Sequence, residues 1–212
     1  SQEHWINSIH PEDKEQVIQA LNDYFNGHSH VFEKEYRIIR KDSSVRWVVD
    51  RGIGDRDESG TVVRMAGSEF DITEKRRSDD RLRLAASVFE SAAESIIILN
   101  TQRLIIDSNA AFRKLLGATK KQVKGQPLEK FSYDKEQLSI YTLIWKELLN
   151  KGTWQGEVWK KHTSGKSIPT WLTISEIKDN LGEVTHYAGL MTDISHVKNT
   201  EEAMYQLAHH DS

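Results

Sequence analysis

The sequence predicts an α+β protein in which one unit of helices and antiparallel strands occurs twice. The main evidence is a pair of matching segments, DESGTVVRMAGSEFDIT at Asp57–Thr73 and DNLGEVTHYAGLMTDIS at Asp179–Ser195. Aligned without a gap at an offset of 122 positions, they are identical at seven of seventeen positions, and a threonine faces a serine at an eighth. Two unrelated strands do not agree this well, and so long a period indicates two domains rather than a solenoid of short repeats.

Composition excludes several classes of protein. The 212 residues are enough for two domains of ordinary size, the net charge is -3, and there is no cysteine. Disulfides, thiolate metal sites, cysteine nucleophiles and photochemistry through a cysteine adduct are therefore excluded. No basic excess points to nucleic acid, and no apolar run of about 18 residues or signal peptide points to a membrane. We expect a cytoplasmic segment of a longer protein.

The first copy, expected over residues 1–73, begins with a helix that Pro11 starts and Gly27 ends. Three strands follow, over about 31–40, 45–55 and 62–70. Residues 74–94 are charged, lack Pro and Gly, and predict a linker helix. Leu82 and Phe89, seven positions apart with alanines between them, suit a parallel partner helix, or else an amphipathic linker packed on its own domain.

The second copy, expected over residues 95–195, contains more elements. A hairpin over about 95–108 precedes a short helix, which Asn109 can cap and Gly117 can end. A longer helix is predicted over about 134–150. Three strands then follow over about 154–161, 168–178 and 184–193, and residues 196–212 are expected to form an output linker helix.

Both copies carry short motifs whose order and spacing resemble the PAS domain with its C-terminal PAC strands. In the first copy they are His10-Pro11-Glu12-Asp13, Glu35-Tyr36-Arg37, Arg40-Lys41-Asp42, Arg46-Trp47 and Asp71-Ile72-Thr73, with Ser43 in place of the usual turn glycine. In the second they are Asn109-Ala110-Ala111-Phe112, Leu116-Gly117, Gly156-Glu157-Val158-Trp159 and Asp193-Ile194-Ser195.

The resemblance implies the PAS fold, a five-stranded antiparallel sheet in the order B-A-I-H-G with flanking helices. The offset of 122 places the counterparts of Ser95–Gln122 before residue 1. The first copy is therefore expected to be N-terminally truncated, with its long helix and last three strands present. Val62–Phe70 would then be an apolar sheet edge that needs a cover, which predicts a homodimer.

A second resemblance concerns the output. Leu207-Ala208-His209-His210-Asp211 is similar to the entry of a GGDEF diguanylate cyclase domain, and Trp154–Trp159 is similar to PAS domains of cyclic-di-GMP enzymes. The resemblance implies a sensory and coupling module that passes a conformational signal through helical linkers to such an output domain. A ligand-free dimerisation scaffold and the sensor region of a histidine kinase are the alternatives. This chain itself carries no GGDEF catalytic residue, and no enzyme activity is expected of it.

Two kinds of site are expected. Asp71 with Thr73, and Asp193 with Ser195, stand where a strand becomes a helix. Their hydroxyls can cap the outgoing helix, and the resemblance implies that these junctions transmit the signal. The family pocket, between sheet and helices, could be lined by a set of six residues in the second copy. The set is Asn109, Phe112, Trp145, Trp159, Trp171 and Leu190.

The same aromatic set could equally be plain core. We expect no cofactor, with flavin or another small molecule as the alternative. Haem is not expected because the helix over 134–150 contains no histidine to serve as an axial ligand. A metal site is not expected either, because His209 and His210 are adjacent and cannot share one helical face.

Overall fold

The computed structural model describes residues 2–133 and 138–210. Its contacts divide the chain into two compact units, a first unit that ends at Leu84 and a second that starts at Ala85.

The first unit places two helices against a three-stranded sheet. Its elements are α1 (Gln2–Ser8), α2 (Pro11–Phe25), β1 (Phe32–Ile39), β2 (Val45–Arg56), β3 (Val62–Asp71) and the start of α3 (Thr73–Ser91). The sheet is antiparallel in the order β1-β2-β3. Pro11 opens α2 as predicted, because its missing N–H has no helical partner at that position. The helix α1 was not predicted.

A buried ion pair ties α2 to this sheet. Asp13, in the first turn of α2, is only 4% exposed and accepts hydrogen bonds from the backbone and the guanidinium of Arg37 on β1. The apolar core of this unit draws mainly on α2, β1 and β2. Its buried members are Ile9, Val17, Leu21, Tyr24, Phe32, Tyr36, Ile38 and Val48.

The second unit contains the five-stranded PAS sheet. Its elements are β4 (Ser95–Asn100), β5 (Ile105–Ser108), α4 (Ala110–Leu116), α5 (Lys120–Val123), a 3₁₀ turn (Leu128–Phe131), α6 (Leu138–Lys151), β6 (Thr153–Lys161), β7 (Ser167–Lys178), β8 (Val184–Asp193) and α7 (Ser195–His210). The strand order β5-β4-β8-β7-β6 corresponds to B-A-I-H-G and confirms the predicted topology. The predicted start of α6, at residue 134, lies outside the described residues.

The helical side of this sheet carries the core of the second unit. The core joins inward-facing strand residues to α4 and α6. Its largest members include Leu99, Phe112, Tyr141, Trp145 and Leu172. Asn109 caps α4 as predicted, and Gly117 ends it in a left-handed conformation.

The offset found in the sequence recurs in the strands. Moved by 122 positions, the bounds of β2 and β3 coincide with those of β7 and β8. Ser43, in the turn before β2, has φ 64, and its counterpart Gly165 has φ 88. A serine therefore adopts in the first unit the left-handed conformation that glycine adopts freely in the second.

Candidate functional site

In the first unit, the strand-to-helix junction is a small hydrogen-bonded joint. β3 ends at Asp71, whose carboxylate accepts the backbone N–H of Thr73 at 2.9 Å. Ile72 N–H donates to the carbonyl of Trp47 at 2.8 Å, which ties the junction to β2. The hydroxyl of Thr73 does not cap the helix as predicted. It accepts the backbone N–H of Trp47 at 2.9 Å instead. The start of α3 is thus fastened to the neighbouring strand.

Charge adds to this joint. Hydrogen bonds from Thr73 hold the pKa of Asp71 below its ordinary value, with smaller contributions from nearby arginines. One of these, Arg40, forms an ion pair with Asp71 at 3.2 Å. Thr73 itself is only 5% exposed.

The junction of the second unit has the same plan with fewer contacts. The carboxylate of Asp193 accepts the N–H of Ser195 at 2.8 Å, and Ile194 N–H donates to the carbonyl of Pro169 at 3.0 Å. Asp193 is exposed and Ser195 is half-buried. Both junctions therefore cap the first helical N–H with an aspartate, as strand gives way to helix.

Three of the six predicted pocket residues do meet inside the second unit. Asn109 and Phe112 are fully buried and Trp145 is 5% exposed. The side chain of Asn109 accepts from Ile96 and Phe112 and donates to Glu94, so its amide is already occupied by backbone partners. This side chain therefore holds α4 to β4.

Trp145 also has its own partners. Its indole N–H donates to Glu129 at 2.7 Å, and its ring meets that of Tyr187 edge-on at 5.5 Å. The guanidinium of Arg103 lies 4.8 Å from the centre of the ring. These contacts are what a packed core residue makes.

The other three predicted pocket residues lie on the opposite face of the sheet, so the set of six was wrong as one lining. Trp171 is 43% and Leu190 37% exposed, whereas their neighbours Leu172 and Met191 are buried. Trp159 alternates in the same way with buried residues on β6. Successive side chains of a strand point to opposite faces, so an assignment wrong by one position moves a residue to the other side.

The sequence analysis missed a buried lysine. Lys160 on β6 is fully buried, and its ammonium donates to the hydroxyl of Tyr141 at 2.5 Å and to the carbonyl of Leu128 at 3.4 Å. The ammonium also lies 5.0 Å from the centre of the Tyr141 ring. Alternation from Val158 on β6 could have placed this side chain inward.

The first unit holds a polar cluster that the sequence analysis also missed. The indole N–H of Trp5 donates to the hydroxyl of Tyr36 at 2.7 Å and to the carboxylate of Asp50 at 3.0 Å, and Tyr36 also donates to Asp50. Burial, followed by the bond to Asp50, raises the pKa of Tyr36. A groove of about 750 Å³ runs beside this cluster along β3. Trp5 belongs to the unpredicted helix α1, so no pattern linked it to Tyr36.

The described parts of the chain contain no cluster of three or more His, Asp or Glu side chains suited to a metal ion. No helix in those parts has the length and apolar character needed to cross a membrane.

Family comparisons match each unit separately. A family model described as "PAS fold" matches residues 1–68, and one described as "PAS domain" matches residues 93–196. A crystal structure of a PAS domain from Colwellia psychrerythraea covers 55% of this chain and 98% of its own, with 25% identity and a TM-score of 0.51.

Three curated relatives are named as a sensor, a regulatory protein and a probable diguanylate cyclase, and all three are much longer than this chain. The methyl sulfide methyltransferase-associated sensor of Methanosarcina acetivorans is 26% identical over 47% of this chain, and the nitrogen fixation regulatory protein of Klebsiella oxytoca is 25% identical over 51%. The probable diguanylate cyclase DgcE of Escherichia coli is 27% identical over 58%. The chain spans 10%, 22% and 11% of these three relatives. From the two family matches, the chain contains two PAS domains, one in each unit.

Proposed function

We propose that this chain is a sensory and signal-coupling module, in which a conformational change in a PAS domain passes through α3 or α7 to a C-terminal output domain. The observation that carries the proposal is the pair of junctions at Asp71–Thr73 and Asp193–Ser195. In each, only one residue separates the end of a sheet strand from the start of a helix. A change in the tilt of β3 or β8 therefore changes the direction in which the helix leaves.

A diguanylate cyclase is the output domain that we propose. The run that starts at Leu207 is similar to the entry of such a domain, although its last residue, Asp211, lies outside the described residues. The relationship to the probable diguanylate cyclase of Escherichia coli supports the same output. The present chain would then supply regulation, and catalysis would belong to the domain after it.

We also propose that the module works as a homodimer. Leu82 on α3 is 66% exposed, and Met204 and Leu207 on α7 are 65% and 74% exposed. Leu82 and Met204 are 122 positions apart, so each outgoing helix carries an apolar residue at the same distance from its junction. A parallel partner helix would bury these side chains.

A ligand-free scaffold is the second candidate, and one observation favours it. Both polar groups of the Asn109 side chain already bind backbone, and Phe112 and Trp145 pack as core. In this alternative the dimer passes on a conformational change from a preceding domain, and the second unit senses no small molecule.

The test of the coupling function is Asp193→Ala in the longer protein that contains the output domain. Removing the carboxylate leaves the first helical N–H of α7 without its cap, which costs about 0.5–2 kcal/mol. This is comparable to the coupling energies of about 1–3 kcal/mol that shift regulatory equilibria. We expect folding to survive and the response of cyclic-di-GMP synthesis to the upstream domains to change.

The matched control is Asp179→Ala, in the turn that precedes β8. Like Asp193, its carboxylate accepts from the backbone, here the N–H groups of Leu181 at 2.8 Å and Glu183 at 3.0 Å. It stands, however, at the other end of the strand. We expect this variant to lose similar stability while keeping its regulation. If both variants regulate like the wild type, the junction does not carry the signal.

A further inference from the structure

Each outgoing helix is also fastened by an ion pair to the strand two places away in the sheet. Arg76, in the first turn of α3, pairs with Glu35 on β1, and Lys198, in the first turn of α7, pairs with Glu157 on β6 at 2.8 Å. Arg76 and Lys198 are 122 positions apart, and so are Glu35 and Glu157. The first helical turn is therefore tied across β2 in the first unit and across β7 in the second.

The tie in the first unit has additional support. The guanidinium of Arg76 lies 4.3 Å from the centre of the Trp47 ring, and a cation over an indole face is attracted to it. Trp47 also donates its backbone N–H to the hydroxyl of Thr73, and Arg40 forms an ion pair with Asp71. Three kinds of contact thus hold the start of α3 besides the Glu35 pair.

The second unit cannot make most of these contacts. Pro169 stands at the position of Trp47, and proline has neither an N–H to donate nor an aromatic face. His162 stands at the position of Arg40, and its ring contacts Ser164 in its own turn. Within the part of the chain that the structure describes, the pair between Lys198 and Glu157 ties the first turn of α7 to β6, and it is partly exposed.

We propose that the Glu157–Lys198 ion pair is a releasable latch on α7, whereas the corresponding tie on α3 stays closed because Trp47 reinforces it. An exposed ion pair is weak and is screened by salt, so a small change in the sheet can open it. The start of α7 then leaves the sheet of the second unit, while the start of α3 stays bound to the sheet of the first unit. This proposal rests on the proposed coupling function and names the contact that would regulate it.

The test is hydrogen exchange of matched backbone amides, measured by NMR on this chain alone. Each unit offers one amide that binds the sheet and one that binds within the first helical turn, with nearly equal bond lengths of 2.8–3.0 Å. After correction for intrinsic rates, we expect both amides of the second unit to exchange faster than their counterparts. The pairs are Ile72 with Ile194 and Arg76 with Lys198.

Variants separate the latch from general weakness of the unit. Glu157→Gln should speed exchange at Ile194 and Lys198 by about two- to fivefold, the range expected for an exposed pair. The matched control, Glu35→Gln, should change the amides of the first unit less than twofold, because Trp47 still holds Arg76. Raising NaCl to about 1 M should reproduce the effect of Glu157→Gln, since screening acts within a few ångströms at that concentration.

A further variant tests the role assigned to the indole. Trp47→Leu removes the indole but keeps the backbone N–H to Thr73 and the Arg40–Asp71 pair. It should therefore speed exchange at Ile72 and Arg76 and make both amides sensitive to Glu35→Gln. Thermal melts would establish that each variant is folded. Equal exchange of the matched amides in the wild type, or no change at Lys198 in folded Glu157→Gln, would overturn the proposal. Because no output domain is needed, failure of the latch is distinguishable from failure of the coupling function.

Discussion

The contact between Asp13 and Arg37 allows a prediction of both stability and its pH dependence. One carboxylate oxygen of Asp13 accepts the backbone N–H of Arg37 at 2.8 Å and its Nε at 2.9 Å, and the other accepts a terminal guanidinium nitrogen at 2.6 Å. We consider the substitution Asp13→Asn. The asparagine keeps the shape of the side chain but turns an amide group toward donors that need an acceptor.

The magnitude follows from burial. Breaking a buried ion pair by removing one partner costs about 3–5 kcal/mol. The side chain of Arg37 is 26% exposed and keeps a second partner in Glu12, so it retains part of its solvation and charge compensation. We therefore expect a loss of about 2–3 kcal/mol. For a domain of this size, each kcal/mol lowers the melting temperature by about 4–8 °C, which gives a decrease of about 8–24 °C.

The pH dependence has a definite sign. Hydrogen bonds from Arg37 hold the pKa of Asp13 below its ordinary value. A carboxylate whose pKa is lowered on folding stabilises the protein fully above its unfolded pKa of about 3.9, and this contribution is lost as the pH falls through the folded pKa. The difference in melting temperature between the wild type and Asp13→Asn should therefore be largest near pH 7 and should become smaller below about pH 4.

The assay is a thermal melt of the whole chain, followed by NMR at the methyl groups of Val17 and Val48 in the core of the first unit. The control is Asp42→Asn. Asp42 also has a lowered pKa, because its carboxylate accepts a hydrogen bond from Ser44, but it lies in an exposed turn. Asp42→Asn should lower the free energy of unfolding by less than about 1 kcal/mol. The reasoning is refuted if Asp13→Asn melts within about 3 °C of the wild type at neutral pH, or if the difference is unchanged in acid.

Two other pairs of residues offer predictions with internal controls. Ser43→Gly should raise the stability of the first unit by about 0.5 kcal/mol, because glycine adopts the left-handed conformation without the strain of serine. Gly165→Ser should lower the stability of the second unit for the same reason. A denaturant midpoint that moves the other way in either variant contradicts this. Tyr141→Phe should cost about 1–3 kcal/mol because the buried ammonium of Lys160 loses an acceptor. Adding Lys160→Met should recover much of that loss in chemical denaturation, and a double variant less stable than Tyr141→Phe would show that the lysine is needed for another reason.

Local patterns in the sequence were enough for the fold and for the secondary structure apart from α1. The matching segments, the turn residues between strands and the helix signals at Pro11 and Gly117 each act over a few neighbouring residues. Such signals place the starts and ends of elements, and the PAS motifs then led to the strand order of the second unit. The motif at Asp193 was likewise enough to locate the junction, because its hydrogen bond joins residues two positions apart.

Tertiary structure alone decided which faces and partners these elements have. Trp171 and Leu190 were placed in the pocket, yet they lie on the outer face, because the face of a strand depends on which side other segments cover. The burial of Lys160 depends on Leu128 and Tyr141, which are 32 and 19 positions away. The pair formed by Arg76 and Glu35 joins residues 41 positions apart. Contacts at such separations form only after the sheet has brought distant strands together, so no local pattern in the sequence encodes them.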